Sequence, residues 1–134
     1  MIKRLYKIDL NGAAEVSAIS GNTELAAKAV SKELFLDIVS ALNANGIAAF
    51  DIPAKLEGIA FGQDVIIDGV TKHTLYVAND NDYTAFVPNV NYPGETAENP
   101  NRFFVFAFDD ADLPEFVAQQ FKHRNQSDDD HEER

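Results

Sequence analysis

The chain has 134 residues, enough for one domain that buries its own core, and its 22 acidic and 11 basic residues give a net charge of −11. This balance argues against nucleic acid or an anionic membrane as a partner, because both require a basic face. The chain has no cysteine, which excludes disulfides, thiolate zinc sites and cysteine nucleophiles.

The N-terminal residues predict a half-exposed strand over residues 4–10, since Tyr6, Ile8 and Leu10 alternate with polar residues. The basic residues at the start are not followed by the apolar core of a signal peptide, and no apolar run approaches the about 20 residues of a membrane span. A chain that starts directly on a strand is expected to be the C-terminal part of a longer protein.

The segment 23–45 gives two conflicting signals. Apolar residues recur every four positions, as in a helix, and Asn45-Gly46 is typical of a helix end. Residues 34–39 also read as a short buried strand. We predict a strand over residues 34–37 that leads into a short helix over residues 38–43.

Three later segments predict strands that are apolar on both faces: residues 55–62, 73–79 and 102–109. We expect them to be adjacent antiparallel strands of one sheet, with residues 65–67 joined to the second strand through the Asp68-Gly69 turn. Residues 85–101 carry several prolines and asparagines and predict a loop.

These strands predict a mainly β protein with antiparallel sheets and a short helix. Because the strands do not alternate, both faces of the sheet must be covered, and stacked sheets of a sandwich or of β-propeller blades are the expected cover. The folded domain is expected to span residues 1–121. Residues 122–134 contain no apolar side chain and are predicted to be a disordered acidic tail.

The acidic residues give the candidate site. Asn79, Asp80 and Asp82 lie at the end of a predicted strand and supply the oxygen ligands that calcium prefers, although the EF-hand pattern is absent. The same residues are typical of an Asx-rich turn. Glu57 lies between Leu56 and Gly58 inside an otherwise apolar strand and is either a further ligand or a strand-end residue that reaches solvent. A single calcium site formed by Glu57, Asn79, Asp80 and Asp82 requires that these residues lie at the same end of neighbouring strands, and the turn interpretation stays open beside it.

The remaining acidic and histidine residues give no candidate site. Asp109, Asp110 and Asp112 are interpreted as a turn or a helix cap. The histidines His73, His123 and His131 lack metal-ligand spacing, so no histidine metal site is predicted.

Residues 55–62 (KLEGIAFG) and 74–82 (TLYVANDND) resemble the family called "esterase-like activity of phytase". The strands at residues 4–10 (RLYKIDL) and 103–108 (FFVFAF) resemble that family's closing region, so the resemblance covers about residues 2–121. The family consists of bacterial exported proteins with a β-propeller domain. The resemblance implies that this chain is a C-terminal portion of such a propeller, periplasmic or extracellular in the intact protein.

The resemblance also implies a function. It indicates part of a hydrolase for small-molecule esters or phosphate esters with divalent-metal help, in which Glu57, Asn79, Asp80 and Asp82 hold calcium. The basic clusters that phytases use on phosphate are not recognisable here. One blade cannot assemble a whole active site, so the chain alone is predicted to lack robust hydrolase activity and to self-associate through exposed sheet edges. The alternatives are a non-enzymatic β-rich module that binds calcium or a partner, and an inert acidic domain.

Overall fold

The computed structural model describes residues 2–89 and 91–120, so the predicted tail, residues 122–134, lies outside the described residues. Contacts divide the chain at Pro53 into two compact units, which are described separately. No helix of the described ranges is long and apolar enough to cross a membrane.

The first unit is a two-stranded ribbon with short helices. Its elements are β1 (Arg4–Ile8), α1 (Asn22–Ala26), β2 (Lys32–Asp37), α2 (Ile38–Ala44) and a 3-10 turn (Ala49–Asp51), with β1 antiparallel to β2. The predicted strand at residues 34–37 and the helix that follows it are confirmed. A single helix over residues 23–45, the other interpretation of this segment, is wrong.

Asp37 causes the change from strand to helix. One of its carboxylate oxygens accepts a hydrogen bond from the backbone N–H of Ser40, 3.1 Å away, and so caps the first turn of α2. Its other oxygen accepts from Arg4 Nε at 2.8 Å, which ties β1 to the same point and lowers the pKa of Asp37. The buried side chains of this unit are Ile38, Leu42 and Ile52.

The second unit is built around one long strand. In the part of this unit that the structure describes, the strands are β3 (Leu56–Phe61), β4 (Val65–Ile67), β5 (Val70–Asn79), β6 (Phe86–Pro88), β7 (Thr96–Glu98) and β8 (Phe103–Phe108). β5 pairs antiparallel with β3, β4 and β8, and β6 pairs only with β7. The predicted sheet of three neighbouring strands and the predicted hairpin are confirmed. The loop prediction for residues 85–101 is wrong in part, because β6 and β7 form a small ribbon within it.

β3 and β4 follow the same edge of β5 with two irregularities. Leu56 pairs with Asn79 and Gly58 with Ala78, so one residue of β3 is left over. Phe61 pairs with Leu75, and Val65 pairs with Lys72. The chain therefore advances four residues from Phe61 to Val65 while β5 advances three from Lys72 to Leu75. Each irregularity adds one residue to the edge strand, as a β-bulge does.

The two faces of the sheet differ in burial. Leu75, Val77 and Phe104 lie on one face and are at most 8% exposed. Phe103 and Val105 lie on the other face and are 69% and 52% exposed. The expectation that both faces are covered is therefore wrong for the second face. The strands form open sheets in the described ranges, and the propeller blade stays a prediction.

We predict that Gly62→Ala lowers the free energy of unfolding by about 1–3 kcal/mol, the usual cost of overpacking. A Cβ at Gly62 would overlap the Tyr76 ring and lie 2.8 Å from Thr74 Oγ1. Thr74 is 2% exposed and donates to the Gln63 carbonyl at 2.8 Å, so it cannot move away freely. Urea unfolding measures the loss.

Gly58→Ala is the matched control, because its Cβ would meet Ala78 Cβ at 3.2 Å, a milder contact that a small shift relieves. Equal losses for the two variants would contradict the steric role assigned to Gly62.

Candidate functional site

The first bulge and the turn after β5 bring three acidic side chains together. Glu57 is the residue left over between two paired positions of β3, and a bulge turns such a side chain out of the regular alternation. Asp80 and Asp82 lie in the turn directly after β5. The Asp80 N–H donates to the Lys55 carbonyl at 3.1 Å, which fixes this turn beside the start of β3.

These carboxylates surround a lysine. Lys55 Nζ lies 2.5 Å from Asp82 Oδ1, 3.5 Å from Asp80 Oδ2 and 3.6 Å from Glu57 Oε1. We call these four residues the Lys55 cluster. One ammonium and three carboxylates give the cluster a net charge of −2. Its side chains are 41–59% exposed, so each ion pair is screened by water and contributes little stability alone.

The charges of the cluster reinforce one another. The hydrogen bond to Asp82 is the main cause that raises the pKa of Lys55. The backbone N–H of Asp82 is the main cause that lowers the pKa of Asp80, and Lys55 acts in the same direction. Lys55 is therefore a cation and Asp80 an anion at neutral pH.

The turn itself has the hydrogen bonds of an Asx-rich turn, and that interpretation of the sequence is confirmed. Asp80 Oδ1 accepts from the Asp82 N–H at 2.8 Å, and Asn81 Oδ1 accepts from the Tyr83 N–H at 3.1 Å. Asp82 and Tyr83 both have a left-handed backbone, with φ of 52° and 55°. This conformation is unusual for residues other than glycine, and it holds the Tyr83 ring fully in solvent.

Asn79 connects β5 to the residues before β8 through its side-chain amide. It is 8% exposed, its Oδ1 accepts from the Arg102 N–H at 2.6 Å, and its Nδ2 donates to the Pro100 carbonyl at 3.4 Å. Asn81 and Asn99 form a second connection by exchanging side chain-to-backbone hydrogen bonds of 2.9 and 3.3 Å. The asparagines thus join the two ends of the long connection between β5 and β8.

The donor set does not fit a resident calcium ion. Calcium requires six to eight oxygen ligands, whereas the carboxylates of the cluster converge on Lys55 and the Asn79 oxygen accepts from the Arg102 N–H. Among the described residues, no group of three or more histidine, aspartate or glutamate side chains could hold a metal ion. The calcium site stays a prediction, and the cation that the structure places among these acids is a lysine.

A groove of about 450 Å³ lies beside the cluster. Its polar and aromatic lining includes Asp80, Asn81, Tyr83, Asn101, Arg102 and Phe103. Tyr83 and Phe103 present exposed rings, while Asp80 and Arg102 supply an anion and a cation. The groove can therefore hold a small polar molecule that carries an apolar group.

Sequence reasoning missed Lys55 and Arg102. Lys55 stands two positions before Glu57 in the sequence, but the bulge that takes Glu57 out of the regular alternation depends on pairing with β5. Arg102 stands directly before β8, and nothing in the sequence connects it with Asp80. His73 was also interpreted only as a non-ligand, although it lies between Asp64 and Asp110.

We predict that Asn79→Ala lowers the free energy of unfolding by about 1–3 kcal/mol, because it leaves the Arg102 N–H without its acceptor. Urea unfolding measures the change. Asn91→Ala is the control, since Asn91 is exposed. Losses of the same size in both variants would show that the Asn79 side chain does not connect the strands.

We further predict that calcium stabilises wild type no more than sodium chloride of matched ionic strength, since Lys55 already neutralises part of the acidic cluster. Lys55→Met leaves three carboxylates without their cation. Its melting temperature should fall, and calcium should restore it more than sodium does.

Lys28→Met is the matched control, because it removes one exposed lysine in the other unit. A specific calcium response of wild type that Glu57→Gln with Asp80→Asn abolishes would restore the predicted calcium site. A calcium response of Lys28→Met equal to that of Lys55→Met would show only general screening.

Comparison with known proteins gives a family match. The family model described as phytase-like, with the esterase-like activity of phytase, matches residues 1–83. This range includes the whole Lys55 cluster and ends before β8, so the resemblance over residues 103–108 lies beyond the match. Searches of curated proteins and of solved structures found no match. Because the matched residues make up more than half of the chain, the protein belongs to the phytase-like family, the family of the esterase-like activity of phytase.

Proposed function

We propose that the chain is part of a hydrolase that acts on small-molecule esters, and that the groove beside the Lys55 cluster binds the substrate. The observation that carries the proposal is the position of this cluster. It lies within the segment that matches a family of esterase- and phytase-like hydrolases, and Asp80 belongs both to the cluster and to the groove.

The chemistry of the groove supports binding and orientation. The Arg102 guanidinium is a donor for an ester carbonyl, and Asp80 is an acceptor for a water molecule or a hydroxyl group. The pKa of Asp80 is lowered, and a carboxylate with a lowered pKa is a weak general base. Asp80 therefore positions a polar group, and strong proton abstraction falls to residues elsewhere in the intact protein.

The charge of the cluster favours a neutral ester over a phosphate ester. A phosphate ester carries negative charge, and the Lys55 cluster has a net charge of −2 in a chain of −11. Like charges this close disfavour binding unless another cation is added. Divalent-metal help for a phosphate ester remains a proposal, and no step of the binding described here requires it.

A second function is supported by the exposed face of β8. Phe103 and Val105 are 69% and 52% exposed and lie on one face of an open sheet. An apolar face and unpaired sheet edges of this kind favour a non-enzymatic role in binding a partner or in self-association. A propeller blade and a periplasmic or extracellular location belong to the same family-level proposal.

A titration followed by NMR tests the hydrolase proposal. A neutral ester such as phenyl acetate should shift the backbone amide signals of Asn81, Tyr83 and Phe103, and phenyl phosphate should shift them less. Arg102→Gln should weaken binding of the ester, and Lys28→Gln, which also removes one positive charge, should not. The chain alone should hydrolyse 4-nitrophenyl acetate no faster than Glu57→Ala.

Three results would contradict this proposal in different ways. Absence of shifts with either ligand would remove the groove as a substrate site and leave the partner-binding function. Tighter binding of phenyl phosphate would overturn the preference for a neutral ester. A hydrolysis rate well above that of Glu57→Ala would overturn the view that these residues only bind and orient.

A further inference from the structure

A second charged cluster lies at the other end of β5. His73 Nδ1 is 2.9 Å from Asp64 Oδ1, and His73 Nε2 is 2.8 Å from Asp110 Oδ1. Asp64 belongs to the second bulge, between β3 and β4, and Asp110 follows β8. One imidazole ring of β5 therefore connects this strand to the bulge before β4 and to the residues that follow β8.

This geometry requires a charged ring. A neutral imidazole has one N–H donor, and its other nitrogen carries a lone pair. That second nitrogen would point its lone pair at a carboxylate oxygen, and the two would repel each other. Only the imidazolium donates to both Asp64 and Asp110. Both carboxylates raise the pKa of His73, with the Asp64 hydrogen bond as the main cause, while partial burial of the ring opposes the rise.

The ring of His73 also carries an aromatic contact. The Phe116 ring lies with its centroid 4.3 Å from that of His73 and 4.8 Å from that of Phe61. Phe116 belongs to the segment 109–120, in which no helix or strand is present. The contacts that attach this segment to the sheet include those of Phe116, the Asp110–His73 pair and the Lys72–Asp109 pair.

We propose that His73 is a proton-operated latch that holds segment 109–120 on the sheet when the ring is protonated and loosens it when the ring loses its proton. The charged groups facing the ring are Asp64 from the bulge and Asp110 from the segment itself. The neighbouring Lys72 is engaged with Asp109, a separate ion pair that attaches the start of the segment to the sheet.

When His73 loses its proton, the hydrogen bond that breaks is the one to Asp110. Its side chain is 92% exposed, against 41% for Asp64, so water replaces its hydrogen bond at little cost. Neutral His73 then keeps one N–H for Asp64. The aromatic contact of Phe116 then holds the following residues, and its loss uncovers the Phe61 side of the sheet.

The direction of the pH effect follows from the raised pKa of His73 in the folded protein. A raised value means that folding favours the protonated ring. The contribution of the latch is therefore complete below the unperturbed histidine value of about 6.5 and is lost as pH rises through the folded value.

NMR on the full chain tests the latch, with the imidazole signal of His73 assigned by its absence in His73→Gln. The heteronuclear NOE of residues 111–116 should be high at pH 6 and fall at pH 9, with the midpoint at the His73 titration. His73→Gln should give low values at both pH values. Asp110→Asn should lower the midpoint and also the order of the segment at pH 6.

Glu115→Gln is the matched control, because it removes one exposed carboxylate from the same segment without touching His73. It should leave both the midpoint and the NOE values unchanged. The proposal is overturned if the NOE values of residues 111–116 do not change between pH 6 and pH 9, or if Asp110→Asn and Glu115→Gln shift the midpoint equally.

Discussion

Hydrogen bonding along both edges of β5 is the constraint on which the second unit depends. Residues 75–78 of this ten-residue strand pair with β3 on one side and with β8 on the other. The edge formed by β3 and β4 contains two more residues than regular pairing would use, and each extra residue makes a bulge. One bulge places Glu57 beside Lys55 and the other places Asp64 beside His73, so both charged clusters are consequences of the way β5 is paired.

The excess of acidic residues explains the composition of the two clusters. With 22 acidic and 11 basic residues, many carboxylates must share a cation or remain in water. Lys55 is shared by three carboxylates and His73 by two. Each contact is partly exposed and weak by itself, but a shared cation connects several segments at once. Both cations therefore act mainly by fixing which segments lie together, and salt should weaken both effects.

Local patterns in the sequence predicted most of the strands and the helix α2. The features that these patterns missed depend on how the strands pair across the sheet. Apolar runs predicted β3, β5 and β8, and Asp68-Gly69 predicted the hairpin, because both glycine and aspartate accept the positive φ that its turn requires. Glu57, Asp80 and Asp82 lie together at one end of neighbouring strands, which is the condition that a shared site required. The bulges were not foreseeable, because a bulge depends on the register of the partner strand. The partners of His73 are 9 and 37 residues away, beyond any local pattern.

Asn79 shows why residue type alone does not distinguish a metal ligand from an amide that binds the backbone. An amide oxygen after a strand is equally suited to calcium and to a backbone N–H, and here the Arg102 N–H lies 2.6 Å from it. Releasing that oxygen to a metal would leave a part-buried N–H without an acceptor, and calcium among the acids would also have to break the Lys55–Asp82 contact that holds the turn. A lysine attached to the adjoining strand needs no such rearrangement and does not have to give up the hydration shell of a divalent ion. The fold therefore supplies, from its own sequence, the cation that its acidic turn requires.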